Sequence, residues 1–484
     1  MPLQTPNTRR KAILLFGSTL VQSCRQPENV KNSVSIMNRA DRSRQQQTFT
    51  IQQALDLGVQ HHTARDLSTA EGIYQQILKA DPNQPDALHL LGVIAHQVGK
   101  HEVAEELITK ALSIKPDWAE ALANLGNALM AQGKLEEAAA SHRKALEIKP
   151  DFAEVHNNLG NALKELGRLQ EAVASYRQAI AIKPGHVETH SNLGTALRDL
   201  GKLNEAEASH RKSLELHSSF AAGHYNLHPF VLDPGAMEAS IQCMQKAVEL
   251  DPESTNYRFY LGMLLDYSGK SGDAKTHFDL VESGETSGRA KLDAWQYIKS
   301  ANDKMPPMVG SSFEGFKIGI DAAADDGLVL EFGVRFGTTI RQIAALVNQE
   351  VHGFDSFEGL PDAWHNEPKG SYSTKGVIPS VQENITLHNG WFEDTLPGFI
   401  KKHQAPVRFM NIDCDIYSST KTVLDLLAKQ IVAGTVISFD EYIGNETWRD
   451  DEFKAFQEAA LKYGWNYEYL CFSFVAKQVV VRIH

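Results

Sequence analysis

Apolar positions between residues 50 and 290 carry two periods at once. Locally they follow the three-to-four-residue spacing of amphipathic helices. Over a longer distance the pattern repeats every 34 residues. Pro82, Pro116, Pro150, Pro184 and Pro252 fall on that ruler, and Ser218 takes the missing slot. Nine residues after each slot stands a leucine: Leu91, Leu125, Leu159, Leu193, Leu227 and Leu261. A glycine follows five of them, at Gly92, Gly126, Gly160, Gly194 and Gly262. Each unit predicts two short helices. The proline is expected to open the first, where a missing N–H costs nothing, and the glycine to let the second approach closely. A single hairpin of this kind cannot bury its apolar face, so stacked units are expected to share a core. In the fifth unit His228 replaces the glycine and Pro229 follows it. Proline there removes a helix hydrogen bond and clashes with the preceding turn, predicting a break near residues 228–235.

From about residue 310 the 34-residue period stops. Short β-branched runs then alternate with helical stretches: strands at 328–334, 351–357, 385–390, 407–413 and 434–440, and helices at 338–349, 420–432 and 452–464. A hairpin, 467–474 and 478–484, closes the chain. This is an α/β pattern. The expected layout is a leader over 1–48, repeats over 49–290, a linker over 291–312 and an α/β domain over 313–484.

Composition narrows the class. Apolar residues make up 42% and charged residues 22%, as in water-soluble globular proteins. The net charge of −12 hides a basic start, since residues 1–50 carry about +6. Neither folded part has the basic excess of a nucleic-acid binder. No apolar run approaches the length of a membrane span. Four scattered cysteines without CxxC spacing fit reduced thiols and a cytoplasmic setting. Residues 9–24 only faintly resemble a secretion signal, and a disordered leader is expected over 1–48, with Met37 an alternative start.

Candidate chemistry gathers at strand ends. The first strand of the α/β part ends in "EFGVRFGTT", where Glu331, Gly333 and Gly337 mark a strand-to-helix turn, with Thr338 opening the helix. The second strand ends in Asp355 and Ser356; an acid 24 residues after Glu331 suits ribose hydroxyls. Arg335 stands where a pyrophosphate fingerprint would need glycine, which favours a nucleoside ligand without pyrophosphate. Trp391 and Phe392 follow the third strand, bordering an adenine or packing in the core. Two further strands end in acids, Asp413 with Asp415 and Asp440 with Glu441. Carboxylates so close need a metal ion, a cationic ligand or open water.

Two resemblances sharpen these expectations. The 34-residue units resemble tetratricopeptide repeats, which implies a superhelix. The wording "NLGNAL" is similar to the repeats of O-linked N-acetylglucosamine transferases. In such arrays Asn124, Asn127, Asn158, Asn161 and Asn192 would line a groove for a protein or peptide partner; solvation or bonding between neighbouring helices is the plain alternative. The last 175 residues resemble class I S-adenosylmethionine-dependent methyltransferases with a seven-stranded, mostly parallel Rossmann-like sheet. The phrases "GFDSFEGLPDAW", "GWFEDTLPGF" and "IDCDIYSSTKTVLDLL" narrow this to the macrocin O-methyltransferase type, which methylates sugar hydroxyls with a divalent cation. That resemblance implies S-adenosylmethionine held by Glu331, Gly333, Gly337, Thr338, Asp355, Ser356, Trp391 and Phe392. It implies Mg²⁺ on Asp413, Asp440 and Glu441, with Asp413 as the proton acceptor and a sugar or glycosylated molecule as the methyl acceptor. Glu441 departs from the aspartate usual there. Competing readings are a scaffold with a decayed methyltransferase-like domain and, from the repeat wording alone, a glycosyltransferase.

Overall fold

The structure, a computed structural model, describes residues 33–37, 46–302, 304–365 and 367–484. The expected signal-like segment at 9–24 and most of the expected leader lie outside the described residues. Within the leader, Ser33–Met37 pairs antiparallel with Gln46–Thr50, a ladder the sequence pattern does not predict. The described residues form two compact units: those up to 166 with 177–183, and those of 167–176 with 184–484.

The helical pairs follow the 34-residue ruler. Ala119–Ala131 with Leu135–Ile148 is one unit, and Val187–Asp199 with Leu203–Leu216 is another. The glycines act as expected. A Cβ on Gly126 would come within 2.5 Å of the His142 ring, and one on Gly194 within 2.6 Å of His210. The prolines do not open the helices. Pro116, Pro150 and Pro184 each precede the first helical residue by three positions, at Ala119, Ala153 and Val187. Their slot instead offers a carbonyl: Pro150 and Pro184 accept from His156 and His190 Nε2, both at 2.9 Å, and Pro252 accepts from Arg258 Nε at 2.8 Å. In the fifth unit the first helix stops at Leu227 and gives way to a short 3-10 turn, His228–Val231, as Pro229 requires.

Helix α1 (Thr286–Ser300) runs through the start of the expected linker, and α2 (Ser312–Ala322) begins at its end. The α/β domain follows with strands β1 (Leu328–Phe332), β2 (Val351–Asp355), β3 (Ile385–Asn389), β4 (Val407–Ile412), β5 (Val436–Phe439), β6 (Tyr467–Ser473) and β7 (Gln478–Ile483). Its helices are α3 (Thr338–Leu346), α4 (Phe392–Lys402), α5 (Tyr417–Leu427) and α6 (Glu452–Tyr463). The sheet order is β3-β2-β1-β4-β5-β7-β6, parallel except for β7, which pairs antiparallel with β5 and β6.

Strand alternation loads both faces of this sheet. Val329, Phe409 and Val436 join one core with Ile340 of α3 and Phe316 of α2. Leu330, Met410 and Ile437 face the other core with Val423 of α5, Phe456 of α6 and Trp295 of α1. Burial on both sides explains why these strands read as continuous apolar runs. The order reverses between β1 and β4. In a doubly wound sheet that switch opens a crevice beyond the carboxyl ends of the two strands, where ligands bind.

Candidate functional site

The sequence-predicted turn lies at that switch. Gly333 follows β1 with φ +91°, and a Cβ there would collide with the carbonyl oxygen of Asp413. Only glycine lets β1 and the end of β4 approach so closely. Gly337, at φ +73°, caps α3, and Thr338 is the first residue of that helix. Arg335 sits between them at φ +49° with its guanidinium over the Tyr372 ring, 5.0 Å from its centre.

Asp355, at the end of β2, spends its carboxylate on the chain. Its two oxygens accept from the backbone N–H of Arg335 at 2.7 Å and of Phe357 at 2.6 Å. It therefore braces the β1–α3 turn, and each oxygen keeps a lone pair for a further donor. Burial raises its pKa, against the lowering by those N–H bonds. Ser356 accepts the Glu358 N–H at 3.1 Å. Trp391 stands at the start of α4, while Phe392 packs edge-on against Phe332, so its ring is a core contact.

Glu331 is fully buried in β1 beside Asn411 of β4. One of its oxygens accepts from Asn411 Nδ2 at 3.1 Å and the other has no partner. Burial pushes its pKa up to about 8, although the nearby Thr339 hydroxyl and the Asn411 amide pull the other way. An unpartnered buried carboxyl oxygen at the switch point is a position for a polar group of a ligand, an acceptor while the acid is protonated and a donor once it is ionised.

The acids at the ends of β4 and β5 form a cluster. Burial, followed by Asp440 and Asp415, holds Asp413 well above the usual carboxylate range. Burial and Glu441 push Asp415 up to about 8 and Asp440 up to about 7. A fifth acid, Glu452, carries no signal in the sequence because it is simply the first residue of α6. It is fully buried and receives the backbone N–H groups of Cys414 at 3.3 Å and Glu441 at 3.2 Å. It thus ties the two acid-bearing loops together.

The cluster contains its own cation. Lys477, from the turn between β6 and β7, places Nζ 2.9 and 3.0 Å from the two oxygens of Glu441. Burial works against that ammonium, but Glu441, Asp440 and Asp415 outweigh it and raise its pKa. Asn445 Nδ2 adds a 3.4 Å contact to Glu441. The expected convergence of Asp413, Asp440 and Glu441 on one ion is corrected here. Among the described residues no three His, Cys, Asp or Glu side chains are arranged to hold a metal. Glu441 is turned to the lysine, so the donor set does not fit Mg²⁺, which demands near-octahedral oxygens. Nothing around Lys477 in the sequence marks it out; only the terminal hairpin brings it to β5.

Over this edge runs the long stretch between β2 and β3. Trp364 Nε1 donates to Asp451 at 3.2 Å, and His365 Nε2 meets Thr447 Oγ1 at 3.0 Å. In the repeats the predicted asparagines bond along the stack. Asn124 Nδ2 meets His89 Nε2 at 2.9 Å, and Asn158 Nδ2 donates to Asn127 Oδ1 at 2.9 Å.

Comparison with protein families matches a methyltransferase domain at residues 330–442. Tetratricopeptide repeat families match at 55–121, 126–167, 160–197 and 189–218. The chain carries tetratricopeptide repeats and a methyltransferase domain. Among curated proteins none matches. Among solved structures, the chain is similar to MamA at 28% identity, covering 34% of this chain and 96% of MamA with a TM-score of 0.32. It is also similar to a thermophilic TPR protein of Thermus thermophilus, TTC0263, at 26% identity over 38% of this chain and 100% of that one, with a TM-score of 0.33. The matched methyltransferase segment opens within β1 and closes just past Glu441, so it brackets the crevice and most of the acid cluster. No helix among the described residues is long and apolar enough to cross a membrane.

Proposed function

We propose that the methyltransferase domain transfers a methyl group from S-adenosylmethionine to a hydroxyl of a sugar or glycosylated acceptor, and that the repeats recruit a protein partner or substrate. The observation that carries this reading is the reversal of strand order between β1 and β4. There the backbone is stripped of side chain at Gly333, the turn is braced by Asp355, and Asp413 is half-buried with a raised pKa beside it. In this reading Asp355 offers its remaining lone pairs to the ribose hydroxyls, and the Gly333–Thr338 turn lies against the nucleoside. The donor supplies an electrophilic methyl group bonded to a sulfonium sulfur. In this reading Asp413 would accept the acceptor's hydroxyl proton in its ionised form, which the neighbouring acids disfavour and a bound sulfonium cation would favour. A carboxylate whose pKa is raised by burial is a stronger base when ionised, which suits an alcohol.

No step is assigned to a divalent cation, because Lys477 already neutralises Glu441. Mg²⁺ assistance is the competing reading, and it would require Glu441 to leave Lys477 and join Asp413 and Asp440 around the ion. Along the repeats, Asn124, Asn127, Asn158, Asn161 and Asn192 would offer their remaining polar atoms to a peptide backbone. This reading is carried by their fixed place in the repeat.

Calorimetry with S-adenosylhomocysteine, in EDTA and in excess Mg²⁺, tests the proposal. Micromolar binding in EDTA is expected, weakened in Asp355→Ala by about 2 kcal/mol. No binding under either condition would leave a scaffold with a decayed domain. Binding that appears only with Mg²⁺ would establish the cation reading.

A further inference from the structure

We propose that Asp293, on α1 and outside the matched methyltransferase segment, is a positioning residue for the acceptor side of the site. It acts through Arg449 and Trp448 on the loop that joins the two ends of the acid cluster. The inference rests on the methyl-transfer reading for its purpose, though not for its geometry.

The loop leaves β5 at Asp440 and Glu441 and returns at Glu452. Both ends are locked at the cluster by the Glu441 N–H bond to the Glu452 carboxylate. Between them residues 442–451 form neither helix nor strand; Tyr442, Ile443 and Trp448 are buried, Asn445 and Thr447 bond within the loop, and Asp293 adds an anchor from outside it. One of its oxygens receives Arg449 Nε at 2.8 Å and Trp448 Nε1 at 3.1 Å, and the other receives Arg449 Nη2 at 2.9 Å. The bond from Arg449 holds the Asp293 carboxyl below its usual range. One helical turn further, the Tyr297 ring packs 5.5 Å from Trp448 and 4.9 Å from Phe453.

Asp293 and Arg449 are 46% and 48% exposed, and a simple surface pair of that kind is worth little. Two features lift this one out of that class: the fork is bidentate, and the same carboxylate orients Trp448, which is only 2% exposed. The loop passes the constraint inward. Thr447 donates to Asp451, which also accepts from Trp364, and His365 meets Thr447. The segment over the crevice therefore rests on a loop whose outer anchor belongs to a helix of the preceding helical region. A family comparison confined to residues 330–442 stops before Arg449 and starts after Asp293.

The test uses the full chain and needs no acceptor. Amide hydrogen exchange is compared in wild type, Asp293→Ala, Asp293→Glu, and the swap Asp293→Arg with Arg449→Asp. In Asp293→Ala, exchange is expected to rise about tenfold in residues 443–450 and 360–365. It should stay within twofold in α5 and β4, and S-adenosylhomocysteine affinity should also stay within twofold. Asp293→Glu should restore protection to within threefold of wild type, which general destabilisation would not allow, and the charge swap should restore it only in part, because an arginine at 293 cannot accept the Trp448 N–H. A folded Asp293→Ala chain with less than a threefold rise in those segments overturns the inference. So does a rise spread equally over the sheet, or no recovery in either restoring variant. Failure of wild type to bind S-adenosylhomocysteine would instead strike the methyl-transfer reading and leave the exchange result to decide the positioning claim.

Discussion

The repeats and the methyltransferase domain both bury titratable side chains, and they do so in opposite ways. In the repeats the buried groups are tyrosines and histidines. His142 and His210 fill the space left by Gly126 and Gly194, and their ring nitrogens have no hydrogen-bond partner. Burial alone pushes His142 down to about 4, and burial with the Arg198 charge pushes His210 down to about 3. A neutral imidazole tolerates such a place as a packing unit. In the methyltransferase domain carboxylates crowd two strand ends, half-buried around the fully buried Glu452 and held together by backbone donors and one lysine. Neutral rings can be buried for shape alone. Five neighbouring acids cannot, because each raises the cost of ionising the next. That difference separates a scaffold from a site.

The same substitution in the two regions should show the contrast most strongly. Gly333→Ala drives a Cβ into the Asp413 carbonyl at a positive φ, and neither backbone segment can yield. A loss of about 3 kcal/mol or more in urea denaturation is expected. A loss below about 1 kcal/mol would mean the crevice is looser than its geometry.

Removing the internal cation should come next. Lys477→Met leaves Glu441 facing Asp415 and Asp440 without its partner. Because the lysine is 38% exposed, solvent softens the penalty, and about 2 kcal/mol is expected at neutral pH. An unchanged midpoint would show that water already screens the cluster.

The two regions should also answer pH with opposite signs. Glu331 stays protonated in the folded chain up to about 8, while an ordinary glutamate ionises near 4.5. Its contribution is full below the unfolded value and is lost as pH rises towards about 8. His142 stays neutral in the folded chain down to about 4, so the unfolded chain gains protons below 6.5. Its contribution is full above 6.5 and is lost as pH falls towards about 4. Amide exchange corrected for intrinsic rates should therefore show β1 loosening on the alkaline side and Leu135–Ile148 on the acid side, each by about 1–2 kcal/mol. Parallel slopes in both regions would break the comparison.

The smallest effect belongs to Gly126→Ala. Its Cβ meets an imidazole that can turn, so about 1 kcal/mol of destabilisation is expected in thermal unfolding. A loss as large as that of Gly333→Ala would mean the histidine is fixed as rigidly as backbone.

The sequence by itself determined what is periodic or local. A 34-residue ruler sets helix pairs because stacked identical hairpins must repeat their contacts. Pro229 sets the break at 228–231 because it cannot donate to the helix. Apolar runs ending in Glu331, Asp355, Asp413 and Asp440 set strands whose carboxyl ends carry acids, since a parallel sheet brings those ends to one edge. The ruler misled only on the prolines, whose role lies in a carbonyl facing a side chain six residues on. What the tertiary structure alone decided depends on residues far apart in the chain. Lys477 reaches Glu441 because β7 returns antiparallel beside β5. Glu452 joins the cluster because the β5–α6 loop folds back on the end of β4. Asp293 meets Arg449 because α1 packs against the terminal hairpin through Trp295 and Phe472. Charges find their partners through such long-range packing, and no spacing along the chain records it.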